Sequence, residues 1–302
     1  MLRAALAAGL VAALGGAAPS APRLAEAPRC TIFPASNPWD RRVDRLPVAT
    51  GSARLIASIG LDRPLHADFG SGLWDGARIG IPYTVVSGKQ RKVPVAFDYA
   101  DESDRGPYPI PRNVRIEGGS DRHALIVDRD ACRLYELFAL ERRGGGWHAG
   151  SGAIWSLRSN RLRPTGWTSA DAAGLPILPG LARYDEVRAG AIRHALRFTA
   201  ERTRRAYLYP ARHFASDSND PSLPPMGLRV RLKASFDTRP FPREARIVLE
   251  ALKRYGMILA DNGSPWFLSG APDERWSNDA LHTLGRVTGA DLEVVDTSAL
   301  RP

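Results

Sequence analysis

Between residues 80 and 235 apolar and polar residues alternate in short runs with a period of two, and a helical period replaces it only after residue 240. Such alternation predicts strands bounded by turn residues. Stretches 81–86 and 93–99 flank Ser87-Gly88-Lys89-Gln90-Arg91, which predicts a hairpin. Stretches 124–127 and 133–140 flank Asp128-Arg129-Asp130-Ala131 and predict a second. Gly144-Gly145-Gly146 turns the chain into Trp147 and a strand near 153–157. Stretches 192–199 and 206–209 predict a further hairpin. In 227–235, Arg229, Arg231 and Lys233 alternate with Leu228, Val230 and Leu232, so one face reads as basic and the other as core.

The C-terminal third changes period. Over 242–255 the residues Val248, Leu249, Leu252 and Tyr255 share a helical face, and Gly256 stands where a helix C-cap belongs. A short apolar strand follows at 257–260, then a helix over 278–284 and a last strand at 292–295. Two segments have no clean period: 158–183 and 210–225. Long irregular segments inside a compact domain are uncommon and often functional. The elements predict a mainly-β or α+β fold, a β-sandwich or jelly-roll-like core with a few peripheral helices in the C-terminal third.

The first 27 residues read differently from the rest. Met1-Leu2-Arg3, an Ala-rich apolar run over 4–14 and the small residues Gly15-Gly16-Ala17-Ala18 follow the order of a secretory signal. The run is shorter than the ~20 apolar residues a bilayer span needs. Cleavage after Ala18, Ala21 or Ala27 suits the small-residue rule, which leaves residues 28–302 as one β-rich domain in an extracellular or periplasmic setting. There the two cysteines, Cys30 and Cys132, predict one disulfide. Closing a loop of that length stabilises by ~4–5 kcal/mol in the chain-entropy model.

Net charge is +10, almost all from arginine. This excess fits either an anionic extracellular polymer or simply a solvated basic surface, and secretion argues against nucleic acid. No segment beyond residue 27 is apolar enough to span a membrane, and a monomer is expected. The chain has no Gly-x-Ser-x-Gly elbow, no His-Glu-x-x-His and no Cys-x-x-Cys.

Candidate chemistry comes from polar residues on faces that should be apolar. Glu136 shares a strand face with Leu134 and Phe138, and His194 shares one with Ile192, Leu196 and Phe198. A carboxylate beside apolar groups has a raised pKa, which suits a general acid. Asp171 and Glu186, in or just after the irregular segment, are candidates for a second carboxylate. Glycosidase carboxyls stand ~5–5.5 Å apart for retention and ~6.5–9.5 Å for inversion. Trp147, Trp155 and Trp167 cluster near that segment, and sugar faces pack on such rings. Trp155, Trp167, Arg197 and His123 are the expected substrate contacts. Each of these residues is equally read as a satisfied core group. Asp217, Asn219 and Asp220 offer oxygen ligands for calcium or an Asx turn, and Asp128 reads as a turn former. Asp261-Asn262-Gly263 is a tight turn at a strand end, a common placement for a catalytic Asp.

Four blocks carry a resemblance: Gly166 to Pro176; Tyr184-Asp185-Glu186-Val187 with His194 to Phe198; Pro225 to Arg229; and Tyr255-Gly256-Met257 with Ala260 to Gly263. They are similar to a family of secreted bacterial proteins of unknown function. The likeness runs from about Asn37 to Asp296, which implies one integral unit and no particular mechanism. Two functions are therefore expected. One is a secreted hydrolase of an extracellular polysaccharide with Glu136 as general acid/base. The other is a non-catalytic glycan- or cell-wall-binding module that uses the tryptophans and the basic strand.

Overall fold

The computed structural model describes residues 21–301; most of the predicted signal segment lies outside them. In chain order the helices are α1 (Ser52–Ile59), α2 (Tyr184–Arg188), α3 (Arg243–Arg254) and α4 (Asn278–His282). The strands are β1 (His66–Asp68), β2 (Leu73–Trp74), β3 (Ala77–Arg78), β4 (Tyr83–Val86), β5 (Val95–Phe97), β6 (Ala124–Asp128), β7 (Arg133–Phe138) and β8 (Glu141–Arg143). They continue with β9 (Gly146–Ala149), β10 (Ser151–Ser156), β11 (Leu196–Ala200), β12 (Arg229–Leu232), β13 (Met257–Asn262), β14 (Phe267–Ser269) and β15 (Leu292–Val294). The fold is thus β-rich, as expected. Not every helix is C-terminal, however: α1 lies in the otherwise irregular leader, residues 29–63, ahead of β1.

Two sheets organise the molecule. The N-terminal one has the order β10-β7-β6-β4 and the C-terminal one β1-β14-β11-β13-β12-β15. The hairpin of β6 and β7 forms as predicted, with Val127 opposite Leu134. Asp128 closes its turn by accepting from the Asp130 and Ala131 amides at 3.0 and 2.9 Å. The N-terminal sheet is covered on both faces, which explains the unbroken run Ala124-Leu125-Ile126-Val127. Leu125, Val127 and Leu134 pack against Leu24, Cys30, Ile32, Phe33 and the 177–181 loop. Ala124, Ile126, Tyr135 and Leu137 pack on the other side with Val95, Tyr108 and Ala149.

Two predicted hairpins do not form. β4 pairs in parallel with β6, and β5 in parallel with β9. The turn between β4 and β5 is instead held by Asp130, whose carboxylate accepts from the Gly88 amide. Pairing with the fully buried β6 buries Val86, which a free-standing hairpin would leave wet. Likewise β11 pairs in parallel with β13, while the 206–209 segment makes only one bridge, Tyr207 to Met226.

The basic face of β12 also fails to appear. Arg229 and Arg231 are 3% and 8% exposed. Arg229 donates to the carbonyls of Tyr255, Pro38 and Arg41, and Arg231 to Val43, Leu46 and the Glu293 carboxylate. The leader segment 38–46 lies over that face and supplies the acceptors. Both arginines are structural ties.

α3 buries the predicted stripe of Val248, Leu249 and Leu252 against the C-terminal core. Each such side chain stabilises by ~1.5–3 kcal/mol. Gly256 ends the helix at φ 66°, where a Cβ would stand 2.3 Å from the Val230 carbonyl oxygen, so no other residue fits.

Cys30 and Cys132 form the expected disulfide across 102 residues, both buried. It pins the leader to the start of β7. Residues 21–27 belong to this packing: the Ile32 amide donates to the Pro22 carbonyl, and Leu24 and Ala27 are buried. A cut after Ala27 would remove both from the core. The denatured, unreduced protein is expected to titrate no thiol, and reduction to lower the thermal midpoint by several degrees, since a native disulfide contributes ~2–4 kcal/mol. Two titratable thiols, or an unchanged midpoint on reduction, would contradict this. Among the described residues no helix is long and apolar enough to cross a membrane.

Candidate acidic cleft between the two sheets

The central strands of the C-terminal sheet carry the charged groups. Arg197 lies on β11, Asp261 on β13 and Ser269 on β14. A β-bulge decides which way Asp261 faces. Phe198 pairs with Leu259 but Thr199 pairs with Asp261, so Ala260 is the extra residue. Strict alternation from Ile258, which pairs with Arg197, would turn Asp261 to the opposite face. The bulge moves it to the Arg197 side. The freed Ala260 carbonyl accepts from the Ala173 amide at 2.9 Å, which docks the irregular 158–183 segment on the sheet.

That docking delivers Asp171. Its amide donates to Ser169 Oγ at 2.9 Å, and Ser169 Oγ donates to the Leu175 carbonyl at 2.6 Å. The Asp171 side chain is fully buried. Arg197 grips it with two parallel bonds: Nε to Oδ2 at 3.1 Å and Nη2 to Oδ1 at 2.9 Å. The same Nη2 donates to Asp261 Oδ2 at 2.9 Å, and Nη1 donates to Ser269 Oγ at 2.7 Å. One guanidinium thus binds two carboxylates from two elements, the planar-fork role to which arginine is suited.

The two carboxylates differ. Asp171 is sealed, whereas the Asp261 side chain is 22% exposed. Burial, reinforced by the nearby Asp171 charge, pushes Asp261 up to about 7 against the pull of Arg197. Burial opposes the charged form of Arg197, but Asp171 and Asp261 outweigh it and hold the guanidinium protonated. Behind them His123 is buried on β6's approach. Its Nδ1 lies 2.5 Å from Glu117 Oε2 and its Nε2 3.0 Å from the Ala170 carbonyl. Burial works against its charge, yet the Glu117 carboxylate raises it to about 9. As imidazolium, both ring N–H groups donate.

Asp171 and Asp261 border a cleft of about 430 Å³, whose other walls include Tyr99, Glu102, Ser151, His213 and Phe214. Glu102 Oε2 accepts from the Thr168 amide at 2.9 Å and stands 3.8 Å from His213 Nε2. His213 is turned by its Nδ1, 2.8 Å from the Ala172 carbonyl, and its ring stacks on Phe214. Tyr99, 56% exposed, stands at the mouth. With Asp217 on the rim, the lining is acidic in a protein of net charge +10.

The residues singled out from sequence fall into separate buried groups. Asp171 and Arg197 meet in the cleft floor. Glu186 and His194 meet elsewhere: His194 Nε2 is 3.1 Å from Glu186 Oε2, and Arg183 bonds both. Burial opposes the Glu186 charge, but Arg183 and His194 outweigh it and keep the carboxyl below its usual range. His194 precedes β11 rather than lying in it. Glu136 does face the Leu134 side, but it is fully buried and away from the cleft. It accepts from the Ile177 and Leu178 amides and the Trp155 indole, tying the irregular segment to β7. Burial nevertheless raises it to about 7.

The expected aromatic platform is not assembled: Trp147 and Trp167 are half-buried and apart from the cleft lining. Trp155 is 5% exposed, and the Arg163 guanidinium lies over the Trp167 ring at 5.2 Å. Arg142 covers Trp147 at 4.1 Å. The rings at the cleft are instead Tyr99, Phe138 and Phe214. Asp220 accepts from the Ser222 amide and hydroxyl, the Asx-turn alternative to calcium. Among the described residues no group of three His, Cys, Asp or Glu side chains is arranged for a metal ion. The sequence reading passes over Glu102, Glu117 and His213. No protein-family model, curated protein or solved structure matches this chain.

Proposed function

We propose that the protein is an exported hydrolase of a polysaccharide and that its chemistry takes place in the acidic cleft, with Asp261 as general acid/base. The observation that carries this reading is a carboxyl group raised to about 7, partly open to a cleft between two sheets and held in place by a buried arginine. A group of that pKa is protonated enough near neutrality to donate and basic enough to accept. In its acid form Asp261 donates to the leaving glycosidic oxygen. Glu102, the other half-buried carboxylate of the cleft, activates the attacking water. Tyr99 and Phe214 offer ring faces for sugar C–H groups. The disulfide is compatible with an oxidising compartment.

The roles expected of Glu136 and Glu186 on sequence grounds pass here to Asp261 and Glu102. Asp171 is kept as the sealed charge that raises Asp261 and, through Arg197, positions it. The test is release of reducing ends from a panel of neutral and acidic polysaccharides. Asp261→Asn is expected to lower turnover by ~10²-fold or more on whichever polymer is cut. Its thermal midpoint should stay within a few degrees of the parent. Activity of the parent should fall as pH rises through about 7, because the acid form is the donor. Full turnover in Asp261→Asn, or loss of turnover only in Glu136→Gln at equal folded fraction, would refute the assignment. So would a panel on which nothing is cleaved.

A further inference from the structure

A second surface feature lies outside the cleft. One face of α3 along its whole length, the 190–192 loop and the turn before α3 enclose a groove of about 500 Å³. Its walls carry Arg239, Arg243, Arg246 and Arg254, with Glu250 as the one carboxylate among its lining residues. Arg243, Arg246, Glu250 and Arg254 follow at spacings of three and four, so they form one stripe along roughly 16 Å of helix. Glu250 is already engaged, accepting from Thr238 Oγ1 at 2.6 Å and lying 3.5 Å from Arg254. Arg239 pairs with Asp237. Among the described residues Arg243 and Arg246 have no carboxylate within 4.0 Å; Arg243 reaches only the Arg188 carbonyl, at 3.3 Å. Both are exposed.

We propose that this groove binds an acidic polysaccharide. Unpaired guanidinium groups on a rigid helix present planar forks to carboxylate or sulfate oxygens. The groove chemistry separates this ligand from other polyanions. Nucleic-acid sites add exposed rings on which bases stack, and among the described residues no aromatic one lines this groove. Membrane-surface sites add large exposed apolar side chains; among the described residues those are Val48, Leu61, Leu73, Trp74 and Tyr99, none of which lines the groove. The floor is instead made of small or sunken groups, Gly190, Ala191, Ile192 and Ala251, against which a polymer backbone can lie. The site replaces the basic face that alternation assigns to β12, whose arginines are internal. It does not depend on the chemistry of the cleft.

The test is binding of polygalacturonate and of heparin by calorimetry, with neutral dextran, a single-stranded oligonucleotide and phosphatidylglycerol vesicles as comparison ligands at equal ionic strength. The parent should bind an acidic polysaccharide, not dextran, and release it as salt rises. The double variant Arg243→Ala/Arg246→Ala should lose about tenfold in affinity. Its thermal midpoint should be unchanged, since both side chains are exposed and alanine favours helix. Arg91→Ala/Arg112→Ala, an equal change of net charge elsewhere on the surface, should bind as the parent does. Asp261→Asn should also bind normally, which separates this site from the cleft. The proposal is overturned if neither acidic polymer binds, if both double variants weaken binding equally, or if the oligonucleotide or the vesicles bind more tightly.

Discussion

Arg197→Met should lower the thermal midpoint by on the order of 10 °C at pH 7. The side chain is 5% exposed and donates four bonds, two to Asp171, one to Asp261 and one to Ser269. Methionine fills a similar volume but leaves Asp171 sealed with no counter-charge. Removing one partner of a buried ion pair costs ~3–5 kcal/mol because the remaining charge is stranded. A domain of this size shifts ~2–4 °C per kcal/mol. Adding Asp171→Asn to Arg197→Met removes the stranded charge and should recover much of the loss, a signature that a simple packing defect would not give. Calorimetric scans of the three proteins decide it. A single variant within ~2 °C of the parent would mean that the network holds little of the fold together, and that Arg197 does not set the properties of Asp261.

This network shows what is legible in the chain. Glu136 and His194 stand out as polar residues on apolar strand faces, and Asp171 and Glu186 as carboxylates in or after an irregular segment, but those signals are silent on partners. Glu136, Glu186, His194 and His123 prove to be satisfied away from the cleft: Glu136 on two amides and an indole, His194 on Glu186, His123 on Glu117. Asp261 is visible only as a strand-end residue. Its face depends on the bulge at Ala260, and a one-residue shift reverses every face that a period of two assigns.

The same distinction runs through the fold. The β6–β7 hairpin is local, and its turn chemistry is written in Asp128-Arg129-Asp130-Ala131. α3 is legible because its stripe and its terminal Gly256 agree. The parallel pairings of β4 with β6, β5 with β9 and β11 with β13 join segments far apart in sequence, and no local pattern specifies them. The arginines of β12 read as solvent-facing because alternation says which residues share a face, not what covers it. Here the covering segment is the leader, 185–191 residues distant, offering backbone carbonyls.

The buried carboxyls also give the protein an unusual pH profile: it should be most stable near pH 5 and lose on the order of 10 °C of midpoint by pH 8.5. Burial raises Glu136 and Asp261 to about 7 and Asp40 to about 8. Unfolded, such groups ionise near 4. The folded state therefore holds more protons than the unfolded chain from about pH 4 upward, and stability falls as pH rises through each folded pKa. His123 adds to the trend: it is held protonated up to about 9 beside Glu117, so its contribution is complete below ~6.5 and lost above. Glu117 and Glu186 move the other way, but their contribution fades only as pH falls below the ordinary carboxylate range, outside this window. A tenfold difference in proton affinity between folded and unfolded chain corresponds to ~1.4 kcal/mol, so the combined effect is on the order of several kcal/mol. Asp40 offers the cleanest dissection, because its Oδ2 is buried without a hydrogen-bond partner, so the substitution deprives no donor of that acceptor. Asp40→Asn stays neutral at every pH and should remove the part of the fall that Asp40 contributes between about pH 4 and 8, so its midpoint should decline less than the parent's across that range. Midpoints measured from pH 4 to 9 at constant ionic strength test both statements. A plateau across that range, or greater stability at pH 8.5 than at pH 5, would show that these carboxyls ionise in the folded protein as freely as they do in water.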